Sequence, residues 1–295
     1  MKLDNVRMRD PYIVAKDGVY YLYSWICSSD RTTVEVYKSV DLENWEEPKV
    51  VYKLSTDTWK KQDLWAPEVH EYCGKYYMLL SILGKNGLRG TEISVCDTPD
   101  GLFVPMMDRP TTPLHQSCID GTLFVDNGTP YMVYSRDWPD HYVAEKDIYV
   151  GQICAVELSK DLREQAGEPF VLFESTDVPY SAKDPSRHSH KGKPVLRYGS
   201  DAPFVNRLRN GKLFLTWSPC PGNNYVVLGA TADDIHGPWK HIEKPLFENN
   251  GGHAMFFTDF DGNKKMCIHQ PEKFHEERTL ILPVIEKDDE LLISL

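Results

Sequence analysis

One short phrase of residues is written five times along this chain, and that recurrence constrains the fold more than any other feature. The copies are DPYIVAKDGVYYLYS from Asp10, APEVHEYCGKYYMLLS from Ala66, CIDGTLFVDNGTPYMVYS with Asp120 near its start, DAPFVNRLRNGKLFLTWS from Asp201, and GHAMFFTDFDGNKKMCIH from Gly252. Each begins with a small or acidic head, runs through a short apolar strand to a glycine-bearing turn, and returns in a second apolar strand. In the third copy, Asp126-Asn127-Gly128 supplies the positive φ that a tight hairpin turn needs, between β-rich runs.

The heads lie 56, 54, 81 and 51 residues apart. A second series of similar segments follows the hairpins: SVDLENW from Ser39, VCDTPDGLF from Val95, ELSKDL from Glu157 and TADDIHGPW from Thr231. A supersecondary unit repeated at this period points to a repeat architecture. Repeats arranged radially give an all-β, five-bladed β-propeller, whose blades present innermost strands to a central channel. The repeats run from Asp10 to His269 and leave no room for another unit, so residues 1–295 read as one domain.

Register decides which residues matter. From head to turn glycine the separation is 8 residues in the first three copies and 10 in the last two. Both are even, and strand side chains alternate with period 2, so all five heads are expected to face the same way. Asp10, Asp120 and Asp201 would then converge at one end of the channel. Like charges crowded together raise one another's pKa and destabilise a fold, so such a trio calls for a use. Glycoside hydrolysis has one: a carboxylic acid protonates the leaving oxygen while a carboxylate activates water. A third charged group can keep the acid protonated.

Composition excludes some partners. Lys and Arg number 33 against 44 Asp and Glu, a net charge of −11, which argues against nucleic acid and against anionic membranes. No apolar run approaches the ~18 residues of a membrane span. The start, MKLDNVRMRD, lacks a signal-peptide apolar core, so the protein is either cytoplasmic or exported with its leader missing from this numbering. Seven scattered cysteines without a C-x-x-C pair read as reduced thiols filling strands, with a single disulfide open. Aromatics at 12% suit both sheet packing and sugar stacking.

The widest gap between heads holds Glu174 to Ser200, rich in Ser, Pro, Lys and His. It reads as a long functional rim loop, with His188 and His190 as solvated basic residues rather than metal ligands. The tail, TLILPVIEKDDELLISL, is expected to complete a blade together with material from the other terminus. No phosphate loop, G-x-S-x-G elbow or H-E-x-x-H motif is present.

The motifs Asp10-Pro-Tyr-Ile, Leu64-Trp-Ala-Pro-Glu-Val, Ile119-Asp-Gly-Thr-Leu, Asp201-Ala-Pro-Phe and Gly252-His-Ala-Met together resemble glycoside hydrolase family 43 across nearly the whole chain. The resemblance implies a five-bladed catalytic propeller that inverts configuration at arabinofuranosyl or xylosyl linkages of oligosaccharides or polysaccharides. It makes Asp10 the general base, Asp120 the residue that tunes and orients the acid, and Asp201 the general acid. It places Trp65, Glu68, Arg278 and His253 around the sugar. It implies no required cofactor, and a calcium ion or water cluster near His253. Trp65 can equally be a core aromatic, and Arg278 half of a surface ion pair. Asp201 stands where the family pattern has Glu, which draws the carboxyl roughly 1.5 Å towards the backbone. That departure leaves Glu68 as another candidate acid. It also leaves open a carbohydrate-binding propeller without turnover, or a retaining fructoside-acting relative.

Overall fold

The computed structural model describes residues 1–25, 31–183 and 185–294. Five antiparallel four-stranded sheets follow one another along the chain as blades. The first holds Tyr12–Lys16, Val19–Ser24, Thr33–Ser39 and Lys49–Lys53. The second holds Lys60–Tyr72, Lys75–Gly84, Arg89–Cys96 and Val104–Pro105, and the third Cys118–Asp126, Thr129–Arg136, Gln152–Glu157 and Phe170–Glu174. The fourth holds Phe204–Arg207, Leu213–Trp217, Leu228–Ala232 and Lys240–His241, and the fifth Gly252–Thr258, Lys264–Gln270, Arg278–Lys287 and Glu290–Ile293. Every repeated hairpin forms the two innermost strands of a blade. The arrangement is the five-bladed β-propeller expected from the repeats.

Two expectations are corrected. The fifth blade takes all four strands from the end of the chain; the first residues add no strand to it but dock on its edge through the bridge of Arg7 to Arg278, the Met8 amide on the Glu277 carbonyl and Arg278 on the Asp4 carbonyl. The stretch from Glu174 to Ser200 is not one long loop. It contains a hairpin, Ser186–His190 against Lys193–Tyr198, turning at Lys191 and Gly192, both at positive φ. Lys193–Tyr198 lies parallel to Ile148–Val150, and with Tyr142–Val143 these strands make a sixth, small sheet beside the third and fourth blades. The strands of its hairpin are exposed or half-buried apart from Val195, so no apolar alternation announces them. The six described cysteines are free: Cys118, Cys154 and Cys267 are buried as expected, while Cys73 is exposed in a turn and Cys96 and Cys220 lie between; Cys27 is outside the described residues.

Each repeated phrase carries, at or next to its head, one residue in the left-handed region: Asp10, Ala66, Asp120, Ala202 and His253, with φ of 50°, 46°, 53°, 52° and 57°. In the second, third and fifth blades this residue falls where the pairing register slips, the signature of a β-bulge. A non-glycine residue held there costs on the order of 1–3 kcal/mol and persists only where its surroundings fix it.

The surroundings are supplied by the preceding blade. The Asp120 amide donates to Ser81 Oγ at 2.7 Å, the His253 amide to Ser218 Oγ at 3.0 Å, and the Asp10 amide to His269 Nδ1 at 3.3 Å. Ser81, Ser218 and His269 are the last residues of the repeated phrase in their blades. Ser135, at the same place in the third blade, bonds the Ser200 carbonyl and hydroxyl just before the fourth head. At these four junctions, the closure included, the end of one hairpin bonds the head of the next; at the junction of the first and second blades the equivalent Ser24 hydroxyl is buried without a protein partner.

The bulges also correct the register. The fourth and fifth hairpins close through three-residue loops, Arg209–Gly211 and Phe260–Gly262, in place of two-residue turns. The backbone counterpart of Asp10 and Asp120 is thus Ala202, with Asp201 one residue earlier. In the fifth copy it is His253 rather than Gly252. Gly252 is needed for close approach, since a Cβ there would lie 2.6 Å from the Tyr225 ring.

Replacing either latch serine strands a buried amide, which costs about 1–3 kcal/mol. Ser81→Ala and Ser218→Ala are each expected to lower unfolding stability by that amount, read by denaturant titration. A loss below about 0.5 kcal/mol in both would show that the bulge amides need no partner.

Candidate active site

The bulges open onto a cavity of about 470 Å³ at one end of the channel. Asp10, Asp120, Asp201, His253 and Trp65 all line it. The one-residue offset does not remove Asp201, because a bulge breaks strict alternation. Arg9 with Asp10, and Ile119 with Asp120, show the residue before the left-handed position facing the same space as the left-handed residue itself.

Asp10 sits in a nest of donors. His253 Nδ1 is 3.0 Å from Oδ1, and Trp25 Nε1 donates to Oδ2 at 3.1 Å. Arg9 Nε stands 3.8 Å from Oδ2; His269 Nδ1, which accepts the Asp10 amide, lies 3.3 Å from Oδ1 without donating to it. Burial alone would raise the Asp10 pKa. The charges of His253 and Arg9 and the hydrogen bond from His253 outweigh it, and the carboxyl is held below the usual carboxylate range. The same pair acts on His253: burial would depress it, but Asp10 and then Asp120 raise it to about 9.

Asp120 and Asp201 are driven the other way. Burial raises Asp120, and the charge of Asp10 adds to this against the pull of His253. Burial also raises Asp201, well above the ordinary range, and Asp120 and Asp137 push it further. Asp120 Oδ2 accepts the Ala202 amide at 3.0 Å, tying it to the bulge that carries Asp201. One cavity therefore holds a carboxyl whose pKa is depressed and others whose pKa values are raised, the split that acid–base chemistry on one bond requires.

The remaining expected residues divide. Trp65 packs at the edge of the main apolar cluster and also lines the cavity. The Arg89 guanidinium lies 3.1 Å from its ring centroid, and its Nε1 donates to Asp63 at 3.0 Å. Glu68 is buried beneath, 2.9 Å from His70 Nε2, and is not among the cavity residues. Arg278 lies outside the cavity, donating to the backbone oxygens of Asp4 and Glu277. The arginines that do line it are Arg9 and Arg31.

Several cavity residues went unread in the sequence: Arg9, Trp25, Arg31, Asp137, Trp138, Tyr225, Glu272 and Phe274. Arg9 directly precedes a head and could have been flagged by its neighbour. Asp137 is a fourth carboxyl, raised to about 7 by burial and by Asp120 against the pull of Arg89. Glu272 accepts from Arg9 Nη2 at 2.8 Å and from His269 Nε2 at 2.5 Å.

Calcium takes roughly six to eight oxygen ligands. His253 commits Nδ1 to Asp10 and is a cation at neutral pH. Among the described residues no group of three or more His, Cys, Asp or Glu side chains is arranged for a metal. The residues around His253 do not fit a directly bound calcium ion.

A five-bladed propeller whose bulges gather split-pKa carboxyls in one cavity defines a carbohydrate-cleaving type of site. The sequence matches Glycosyl hydrolases family 43 over residues 4–291, and the chain belongs to that family; the protein is a glycoside hydrolase. It is similar to the crystal structure of an endo-arabinase from Bacteroides thetaiotaomicron VPI-5482, with a TM-score of 0.87 at 32% identity over 98% of both chains. It is 26% identical to a xylosidase/arabinosidase of Bacteroides ovatus over 89% of this chain and 85% of the relative. It is 24% identical to xylosidase/arabinosidase 43A of Humicola insolens, over 92% and 90%.

The raised His253 pKa has a definite sign in stability. Its ion pair favours the fold fully below the ordinary pKa of 6.5 and loses that contribution as pH rises towards about 9. Wild type is expected to lose more stability between those pH values than His253→Gln does. Parallel curves for the two proteins would remove the charge from His253.

Proposed function

We propose that the chain acts as one catalytic unit over residues 1–295 and hydrolyses pentosyl linkages of oligosaccharides or polysaccharides with inversion, in the manner of an α-L-arabinofuranosidase or β-xylosidase. The partition of charge between Asp10 and Asp201 within one cavity carries this reading. Relatives named for arabinosyl and xylosyl substrates support the sugar class.

In this reading Asp10 accepts a proton from a water molecule as its oxygen attacks the anomeric carbon. The bond to the leaving oxygen breaks, and Asp201 gives that oxygen its proton. Asp120 keeps Asp201 neutral and fixes it through the Ala202 amide. Trp25, His253 and Arg9 hold Asp10 ionised and oriented. Trp65 and Phe274 offer apolar faces to the sugar.

Hydrolysis of aryl arabinofuranosides and xylosides tests the roles. Asp10→Asn is expected to lower kcat by ~10²–10⁴ on every substrate. Asp201→Asn should lose as much on substrates with poor leaving groups and much less on dinitrophenyl glycosides, which need no proton. An NMR time course should show the inverted anomer first. Full activity in Asp10→Asn, or first release of the retained anomer, would overturn the assignment.

Asp137 gives a further check. Its charge raises Asp201, so removing that charge lowers the acid's pKa. Asp137→Asn is expected to move the alkaline limb of the kcat/KM profile to lower pH. An unmoved limb would leave Asp137 without influence on the acid.

A further inference from the structure

A small side pocket of about 150 Å³ opens beside Asp201 and shares Trp138, Asp201, Tyr225 and Glu272 with the main cavity. Its other walls include Ser186 and Arg197, which face each other at the base of the extra hairpin. Arg197 is half-buried, and its guanidinium lies 4.7 Å from the centroid of the Trp138 ring. That contact fixes a cation at the pocket wall. The acids in the pocket do not simply cancel it: Glu272 is engaged by Arg9 and His269, and burial and the charge of Asp120 push the Asp201 pKa upward.

The hairpin that supplies this cation differs in charge from the rest of the molecule. Residues 186–198 contain Arg187, Lys191, Lys193 and Arg197 and no acidic residue, in a chain of net charge −11. Arg187, Lys191 and Lys193 are exposed. A basic lip on an acidic protein, based at the edge of the active cavity, raises the local concentration of anions there. The planar guanidinium suits a carboxylate, which it can meet with paired donors. No feature of pentoside hydrolysis itself asks for such a cation.

We propose that the side pocket is a specificity site for an acidic sugar, and that Arg197 binds the carboxylate of a uronate residue next to the pentosyl linkage. The proposal rests on the reading of the main cavity as a pentosidase site only for where the uronate sits in the chain. Binding of the uronate itself does not depend on turnover. The substrate is then a polysaccharide in which pentosyl units neighbour uronic acids, and the basic hairpin draws it to the mouth of the cavity.

The test is calorimetric binding of D-glucuronate, D-glucose and D-glucose 6-sulfate to the intact protein at low salt, apart from any assay of hydrolysis. Glucuronate is expected to bind at least tenfold more tightly than glucose, with the advantage shrinking as salt is added. Arg197→Gln should reduce glucuronate to the level of glucose, while Arg197→Lys should keep part of the preference. Equal binding of glucuronate and glucose by wild type would overturn the proposal, as would a preference unchanged in Arg197→Gln. Tighter binding of the sulfate than of glucuronate would overturn the carboxylate assignment. Should Arg197→Gln fail to fold, the wild-type comparison and the lysine variant still decide. Uronate binding without pentoside hydrolysis would sink the pentosidase reading and leave this one standing, and the converse result would do the opposite.

Discussion

The left-handed residue at the head of each repeated hairpin is the constraint on which the site depends. A regular strand would send alternate side chains to opposite faces and bring one residue per blade to the channel mouth. The bulge lets two neighbours, such as Arg9 and Asp10, face one cavity. It also releases backbone amides from the sheet ladder, and a buried amide must find a partner. The partners are side chains at the end of the previous blade's hairpin. At Asp10, Asp120 and His253 the strain is thus balanced by a bond between blades, and the same bonds position the Asp10 and Asp120 carboxyls. At the closure a histidine takes the place of serine, so His269 both receives the Asp10 amide and reaches Glu272.

From that geometry the electrostatics follow. Burial alone would raise every carboxyl in the cavity. Asp10 escapes because His253, Arg9 and Trp25 surround it. Asp120 and Asp201 have no comparable set of donors; Asp10 adds to the difficulty of ionising Asp120, and Asp120 to that of Asp201. The asymmetry comes from position in the ring. Asp10 lies at the junction of the first and fifth blades, where the residues on either side supply cations. Asp120 and Asp201 lie on the acidic side, where Asp137 adds a further charge.

Much of this was legible because the repeats carry their own punctuation. The turn glycines, the β-rich runs and the acidic heads locate the hairpins, and five hairpins of one pattern imply a ring. The register of the fourth copy was misread by one residue, since a turn glycine does not report whether its loop holds two residues or three. Asp201 reached the cavity for a reason other than parity. The extra hairpin was invisible because its strands are solvated and polar, so nothing in the pattern distinguishes them from a loop. Asp137, Trp138, Tyr225 and Glu272 lie in connections after inner strands, where position depends on the path of the loop. The recurring terminal serine was visible in the phrase, but its use appears only when one blade is set beside the next.

The short acid at position 201 is easier to understand beside the extra sheet than alone. An aspartate has one fewer rotatable bond than a glutamate, so less freedom is lost in fixing its carboxyl, but the bond to be cleaved must come closer to the backbone. Trp138 and Tyr225 wall both the main cavity and the side pocket on either side of Asp201. The sheet that carries Arg197 packs against Trp138 through His188 as well, whose ring lies 4.7 Å from it. A leaving group in the proposed reaction would therefore be guided by these walls rather than by the reach of the acid. Precision of approach, on which proton delivery depends steeply, would then come from the substrate's fit to an insertion that the other blades lack.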